Sequence, residues 1–229
     1  MKKNNAAILF FSRTAKAEAK AKPLAMGKQA AQSVASFMVN HVKKIASQTQ
    51  LPVFFYTETQ QRGDTFGERF ANAFDDIFAK GYQHLIAVGN DCLMVSTDDI
   101  LDAAKALETT PSVFGATTDG GVYCIGLDKA VFQKNDFQNI QWQSSSTFAN
   151  IMQLVDNQVF ETTLLPTKSD IDCVSDWQKT LQSVAVLLKK KLLQLINIRF
   201  SKPLISRYLP FINRFLSGSI ALRAPPFSL

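Results

Sequence analysis

Three short, continuously apolar runs occupy the first part of the chain, a pattern typical of strands that are buried on both faces of a parallel sheet. The runs are residues 6–11 (AAILFF), 51–56 (LPVFFY) and 84–89 (HLIAVG). Apolar residues at helical spacing fill the two intervals, over residues 25–47 and 66–80. Because parallel strands are usually joined by helical crossovers, this alternation predicts an α/β fold with a mainly parallel sheet.

The second part of the chain adds a hairpin and one more strand. Two predicted strands, residues 112–116 and 122–127, flank TTDGG at residues 117–121, which has the composition of a tight turn. A further strand is predicted over residues 160–165. The whole pattern predicts a three-layer arrangement, in which helices cover both faces of a mainly parallel sheet with one late hairpin.

The net charge of +6 comes from the C-terminal part of the chain. After Asp176 there are five Lys, four Arg and no acidic residue, whereas residues 1–176 hold 16 basic and 19 acidic residues. The basic character therefore belongs to a tail, and it does not indicate a nucleic-acid-binding domain.

Cysteine usage and the N-terminal sequence predict a cytoplasmic protein. Cys92, Cys124 and Cys173 form an odd number without metal-ligand spacing, so reduced thiols are expected. The apolar run that follows residues 1–5 is too short for the core of a signal peptide. No stretch reaches the roughly 18 uninterrupted apolar residues of a membrane span.

An acidic residue, Asp91, comes directly after the third predicted strand and its Gly-Asn exit. In open α/β sheets, ligands bind outside the carboxyl ends of the strands, so this carboxylate is well placed to hold a metal ion or a polar ligand. The alternative is structural, because an Asp at a strand exit often caps the next helix or turn.

Further acidic residues follow other predicted strands of the same sheet. Asp119 lies in the turn with Gly120 and Gly121, whose lack of side chains lets the backbone approach a phosphate or a sugar closely. Asp170 and Asp172 follow the last strand. A few carboxylate oxygens that leave room for phosphates suit Mg²⁺ or Mn²⁺. Each Asp taken singly also has an ordinary structural explanation, and a hairpin turn needs no function.

Four cations follow the first predicted strand, where a phosphate-bearing ligand approaches in a doubly wound fold. They are Arg13, Lys16, Lys20 and Lys22. The alternative is a solvated helix face, on which Glu18 and Lys22 form an ion pair between positions i and i+4. The chain contains neither GxGxxG nor GxxxxGK[ST], and its two histidines do not favour a hydrolase triad or a zinc site.

Six sequence segments occur in the same order as the similar motifs of a known family. They are AILFFSR, QRGDTFGERFANAF, VGNDC, TDGGVYCIGL, IQWQSSST and LLPTKSDIDCVSDW, spread over about residues 6–180. The chain resembles an uncharacterised bacterial family of glycosyltransferase-A-like proteins, related to nucleotide-diphospho-sugar transferases and to molybdenum-cofactor nucleotidyltransferases. The resemblance implies a Rossmann-like sheet of the glycosyltransferase-A type that binds a nucleotide through the loop after the first strand.

The same resemblance implies a divalent metal, Mg²⁺ or Mn²⁺, on Asp91 and Asp172, with Asp170 behind these ligands or at a helix start. The chain departs from the family in two places. Residues 20–24 (KAKPL) replace a Lys-Thr-Arg-Leu element, which keeps cations but loses the arginine, and residues 93–94 replace a common Pro-Gly.

If the chain is an enzyme, its physical task is to stabilise a departing diphosphate. The metal and a cation from Arg13, Lys20 or Lys22 would neutralise the charge that develops on the diphosphate. The backbone at Gly120 and Gly121 would lie close to the same ligand. Three residues are candidates for the acceptor side of the site, namely Asp119, Glu68 and Arg69. For Glu68 and Arg69, near the start of a predicted helix, pairing on the surface is the alternative.

Residues 1–180 form the predicted transferase-like domain, and residues 181–229 form a basic, amphipathic helical extension. Apolar residues mixed with cations fit a helix that lies on an anionic membrane surface, which would place the protein at the inner face of the membrane. The alternative is a helical arm that packs on its own domain or on a second subunit in a dimer.

These observations and the resemblance together predict a cytoplasmic, metal-dependent transferase that uses a nucleotide-activated sugar. A nucleotidyltransferase on the same fold is one alternative. A nucleotide-binding interaction protein without turnover is the other. Glycosyl and nucleotidyl transfer are not separated by the sequence, because both need a metal-bound nucleotide at the same sheet edge.

Overall fold

A computed structural model gives the fold, and it describes residues 5–22, 27–158, 161–172 and 176. Strands and helices alternate along this part of the chain. The strands are β1 (Ala6–Phe11), β2 (Val53–Tyr56), β3 (His84–Val88), β4 (Ser112–Thr117), β5 (Val122–Asp128) and β6 (Thr162–Lys168). The helices are α1 (Ala15–Ala21), α2 (Lys28–Gln48), α3 (Phe66–Phe78), α4 (Thr97–Ala106), α5 (Lys134–Gln138) and α6 (Thr147–Gln158).

The strands form one six-stranded sheet in the order β2-β1-β3-β5-β4-β6. β1 pairs in parallel with β2 and β3, and β4 pairs in parallel with β6. β5 runs antiparallel to both of its neighbours, β3 and β4. The prediction of a mainly parallel sheet with a late hairpin is therefore confirmed.

Helices cover both faces of the sheet. Successive side chains of a strand point to opposite faces, so an apolar strand has two faces to bury. On β1, Ile8 and Phe10 pack in a cluster with residues of α2 and α4. Ala7, Leu9 and Phe11 point the other way and pack with residues of α3, α5 and α6. All five side chains are buried, which explains the continuously apolar sequence of this strand and confirms the three-layer prediction.

The last strand is displaced from its prediction. β6 covers Thr162–Lys168 instead of residues 160–165, because its pairing with β4 continues to a Thr117–Lys168 partnership. The carboxyl end of β6 therefore lies directly before Ser169 and Asp170. The short helix α5 was not predicted, and its five residues place one buried side chain, Phe137, in the core.

Several predictions concern residues outside the described part of the chain. The extension over residues 181–229 and most of the segment that leads into it are among them, so the domain division and the membrane or dimer contact stay predictions. Cys92 and Cys124 are buried free thiols, and Cys173 is not described. Within the described ranges, every helix is too short or too polar to cross a membrane.

Candidate functional site

A cavity of about 900 Å³ lies at the edge of the sheet where the carboxyl ends of the parallel strands meet. β5 runs against its neighbours, so the β4–β5 turn reaches the same edge as the exits of β1, β3 and β6. Most residues singled out from the sequence line this cavity, namely Arg13, Lys22, Arg69, Asp91, Asp119, Gly121, Asp170 and Asp172. The cavity is therefore the candidate functional site.

Hydrogen bonds between loops hold three strand exits together at this edge. The Ser12 hydroxyl, after β1, donates to the Asn90 amide oxygen, after β3, over 2.8 Å. The backbone amide of Ile171, after β6, donates to the Asp91 carbonyl over 3.1 Å. Because Ser12, Asn90 and Ile171 are all buried, these bonds fix Asp91 beside the segment that carries the late aspartates.

The ammonium of Lys22 lies among three carboxylates. Its Nζ is 2.8 Å from Asp91 Oδ2, 2.7 Å from Asp172 Oδ1 and 3.4 Å from Glu18 Oε1. Burial by itself lowers the pKa of Lys22, but these carboxylates outweigh it and raise the pKa above its ordinary value, so the amine stays charged. The pair between Glu18 and Lys22 thus exists, and the same ammonium also faces the cavity.

Three buried carboxylate oxygens in the cavity wall have no hydrogen-bond partner, Oε1 of Glu18, Oδ1 of Asp91 and Oδ1 of Asp170. Burial and the carboxylates of Asp91, Asp119 and Asp172 raise the pKa of Asp170 to about 8. Burial also raises the pKa of Asp91, although 37% of its side chain is exposed and Lys22 opposes the shift. This surplus of acidic groups favours the binding of a further cation.

The residues present fit a divalent metal that has few protein ligands. The unpartnered oxygens of Asp91 and Asp170 belong to carboxylates, which are the hard donors that Mg²⁺ and Mn²⁺ prefer. Among the described residues, no group of three or more His, Cys, Asp or Glu side chains is arranged to hold a metal ion. Mg²⁺ commonly uses one or two carboxylates and completes its coordination with water and substrate phosphates, so the donors suit a metal that binds with a nucleotide.

The β4–β5 turn presents Asp119 and Gly121 to the cavity. Asp119 Oδ1 accepts hydrogen bonds from the Thr117 hydroxyl and from the Gly121 amide, the latter over 3.2 Å. Gly120 has a φ of +91°, and a Cβ there would lie 1.9 Å from the carbonyl oxygen of Ser145. Gly120 therefore lets the turn pack against the loop before α6, while Gly121 lies beside the site.

Besides Gly120, three residues singled out from the sequence do not line the cavity, namely Lys16, Lys20 and Glu68. Lys20 lies on the exposed side of α1. The Glu68 carboxylate accepts from the backbone amides of Asp64, over 2.7 Å, and Thr65, over 3.2 Å, and so completes a capping box at the start of α3. These bonds lower the pKa of Glu68. We therefore assign Glu68 to helix capping instead of the acceptor side.

Arg13 and Arg69 do line the cavity. Arg13 Nη1 is 3.5 Å from Glu18 Oε2, and 41% of the Arg13 side chain is exposed. Arg69 Nη1 donates to the carbonyl oxygen of Asp64 over 2.8 Å. Both guanidinium groups are thus held at the site by neighbouring oxygens and are available to an anionic ligand.

An aromatic wall was not predicted as part of the site. It consists of Phe11, Phe66, Phe70 and Trp142, all of which line the cavity. The ring centroids of Phe11 and Phe70 are 4.8 Å apart, and those of Phe70 and Trp142 are 5.2 Å apart. The Trp142 indole N–H donates to the Phe137 carbonyl, which fixes the ring. Trp142 belongs to the IQWQSSST segment of the resemblance, and nothing else in the sequence signalled its position.

The fold of this chain has a counterpart among solved structures. The chain is similar to a crystal structure assigned to a nucleotide-diphospho-sugar transferase of Desulfovibrio desulfuricans G20, with a TM-score of 0.68. Sequence identity is 18%, and the match covers 84% of this chain and 97% of that chain. At this level of identity the similarity establishes the fold and not the reaction.

The chain belongs to a bacterial family described as "Uncharacterized protein conserved in bacteria (DUF2064)". The family matches residues 24–144, which is more than half of the chain. The resemblance inferred from the ordered segments is therefore confirmed.

Other similarities are weaker. The 4-diphosphocytidyl-2C-methyl-D-erythritol synthase of Anaerococcus prevotii DSM 20548 has a TM-score of 0.48 and 10% identity, over 83% of this chain and 99% of that chain. A manganese complex of a Mycobacterium tuberculosis H37Rv protein has a TM-score of 0.46 and 10% identity, over 78% and 99% of the two chains. Because both TM-scores are below 0.5, neither similarity supports a conclusion about this chain. No curated protein matches it significantly in sequence.

Proposed function

We propose that this protein is a metal-dependent transferase that binds a nucleotide-activated sugar in the cavity at the carboxyl edge of the sheet. The observation that carries the proposal is the pair of buried, unpartnered oxygens of Asp91 and Asp170 beside the Lys22 ammonium. A divalent metal bound to a nucleotide diphosphate would supply the positive charge that this group of acids lacks. The fold supports the class, because the D. desulfuricans structure is assigned to a nucleotide-diphospho-sugar transferase.

In this proposal Asp91 holds the metal together with a carboxylate from the β6 exit. Asp172 is the partner that the resemblance implies, and 54% of its side chain is exposed. The structure adds Asp170 as a candidate, because its Oδ1 is buried and unpartnered. A metal in this position would neutralise charge on the departing diphosphate.

The side chains of the protein would bind and orient the two substrates. Lys22 and Arg13 are the cations that would contact phosphate oxygens. A Cβ at Gly121 would lie 2.8 Å from the Thr117 hydroxyl oxygen, so only glycine fits here and no side chain blocks the approach of a sugar to Asp119. Asp119 is the candidate general base for an acceptor hydroxyl. Arg69 and the aromatic wall would then bind the acceptor, since ring faces and a guanidinium suit a sugar or another ring that carries an anionic group.

Calorimetric titration with nucleoside diphosphates, triphosphates and nucleotide sugars, with and without Mg²⁺ or Mn²⁺, tests this proposal. We expect binding that requires the metal and that weakens at least tenfold when Asp91→Ala and Asp172→Ala are combined, because the metal then loses its charged ligands. Asp102→Ala, an exposed position on α4, is the matched control and should bind as the unchanged protein does. Metal-independent binding that survives the double substitution would contradict the metal site.

The second candidate function is nucleotidyl transfer, because the same acidic sheet edge would also hold a metal-bound triphosphate. Analysis of the reaction products distinguishes the two functions. Glycosyl transfer releases a nucleoside diphosphate from a nucleotide sugar, whereas nucleotidyl transfer releases pyrophosphate from a triphosphate. Metal-dependent binding without either product, across a panel of acceptors, would instead favour an interaction protein that has lost turnover.

A further inference from the structure

One side chain bridges the two carboxylates that the resemblance assigns to the metal. Lys22 Nζ lies 2.8 Å from Asp91 Oδ2 and 2.7 Å from Asp172 Oδ1. A divalent metal held by Asp91 and Asp172 would need the oxygens that Lys22 contacts. An ammonium and a divalent cation cannot occupy this space together, because they would overlap and repel each other.

We propose that Lys22 is an internal counter-ion that the divalent metal displaces, and that the displaced ammonium then contacts the diphosphate of the bound nucleotide. This inference rests on the metal site of the proposed function. In the metal-free protein, Lys22 keeps Asp91 and Asp172 from repelling each other and preserves the shape of the site. When the metal binds, it takes over this charge, and Lys22 becomes available to the second anion.

Glu18 gives the displaced ammonium a remaining anchor. Glu18 is buried on α1, and its Oε1 lies 3.4 Å from Lys22 Nζ without a hydrogen-bond partner. Its other oxygen, Oε2, is 3.5 Å from Arg13. Glu18 therefore holds Arg13 and Lys22, the two cations after β1 that line the cavity. Lys22 needs only a side-chain rotation to leave the two aspartates.

The exchange couples the two ligands. A metal ion that binds alone must break the contacts of Lys22 and leaves the ammonium without a new partner in the cavity. A metal ion that binds with a diphosphate gives the ammonium an anion to contact. By thermodynamic linkage, each ligand then strengthens the binding of the other by the same factor.

Binding of Mn²⁺ alone to the full-length protein tests the displacement, with free Mn²⁺ measured by electron paramagnetic resonance. Lys22→Met removes the charge but keeps an unbranched side chain, and we expect it to bind Mn²⁺ at least tenfold more tightly. Lys20→Met is the matched control, because Lys20 lies two residues before Lys22, in the last turn of α1 and outside the cavity, and the affinity of this variant for Mn²⁺ should be unchanged. Equal or weaker Mn²⁺ binding by Lys22→Met would overturn the inference.

A second measurement needs no substitution. In the unchanged protein, 18% of the Lys22 side chain is exposed and its amine is paired, so it should react slowly with an acylating reagent. We expect Mg²⁺ to raise the acylation rate of Lys22 severalfold, measured by mass spectrometry of the peptide, and to leave Lys20 unaffected. A Lys22 rate that Mg²⁺ does not change or that it lowers would contradict displacement.

These experiments also separate the inference from the proposed function. Nucleotide binding that needs a metal and Asp91, together with unchanged Mn²⁺ affinity in Lys22→Met, would leave the function standing and reject the exchange. Tighter Mn²⁺ binding by Lys22→Met, in a protein that binds no nucleotide, would support the exchange and reject the function.

Discussion

Replacement of Phe74 by Ala should lower the free energy of unfolding by about 3–5 kcal/mol, the usual range for a large aromatic side chain removed from a core. Phe74 is fully buried in the middle of α3. Its ring centroid lies 4.9 Å from that of Phe137, 5.1 Å from Phe70, 5.5 Å from Phe132 and 6.0 Å from Phe78. The substitution therefore removes buried apolar area and leaves a cavity among four rings that belong to three different segments.

Urea unfolding of the two proteins measures this loss. Phe55→Ala is the matched control, because Phe55 is 41% exposed on the edge strand β2 and its truncation should cost only about 1–2 kcal/mol. A loss at Phe74 no larger than at Phe55 would show that the aromatic cluster is loosely packed. The result also concerns the site, because Phe70, which contacts Phe74, is part of the aromatic wall.

Asp170 should make the metal-free protein less stable as the pH rises from about 4 to about 8. Its pKa in the folded protein is raised to about 8, from an ordinary value of 3.8. Between these two values the folded state holds a proton that the unfolded chain has released, so rising pH favours the unfolded state. The contribution of one such group is at most about 1.4 kcal/mol per pH unit, and residual exposure to water will reduce it.

Asp170→Asn removes this dependence while keeping the size of the side chain. Measured by urea unfolding in the presence of a chelator, the variant should be more stable than the unchanged protein at pH 8 by about 2 kcal/mol or more, and the difference should vanish near pH 4. Asp102→Asn, at an exposed position on α4, should follow the unchanged protein at every pH. Parallel stability curves for Asp170→Asn and the unchanged protein would show that Asp170 is an ordinary, charged carboxylate.

The destabilisation of the metal-free protein by Asp170 is consistent with a role of this residue in binding a ligand. An acidic residue that is buried beside other carboxylates weakens the folded state unless a cation joins it. Asp170 Oδ1 has no hydrogen-bond partner, whereas Asp91 and Asp172 both form ion pairs with Lys22. In the proposed function, the metal is the cation that relieves this cost, so ligand binding should also raise stability.

Local patterns in the sequence were enough to predict the order of strands and helices. The apolar run of β1 predicted a strand with two buried faces, because both faces of a central parallel strand are covered. The Asp119-Gly120-Gly121 turn predicted the hairpin, because only glycine adopts a φ near +91° without strain. The carboxyl-edge position of Asp91 followed from these elements, since every parallel strand ends at the same side of the sheet.

What each side chain does at that edge was decided by tertiary structure. Glu68 and Asp119 were equal candidates by residue type, yet Glu68 turns back to cap its own helix while Asp119 lines the cavity. The resemblance favoured Asp172 over Asp170. In the structure, the unpartnered oxygen of Asp170 is buried in the cavity wall, after a strand β6 whose pairing with β4 extends to Lys168.

The sequence by itself determined the sheet, its late hairpin and the acidic residues at the strand exits, because these depend on local periodicity and turn composition. The structure alone decided that Lys22 reaches Asp91 and Asp172. That contact joins residues that are far apart in the chain, and it depends on the packing of α1 against α2 and on the loop bond between Ile171 and Asp91. Long-range distances of this kind leave no periodic trace in a single sequence, so the cation between the two carboxylates could be found only in three dimensions.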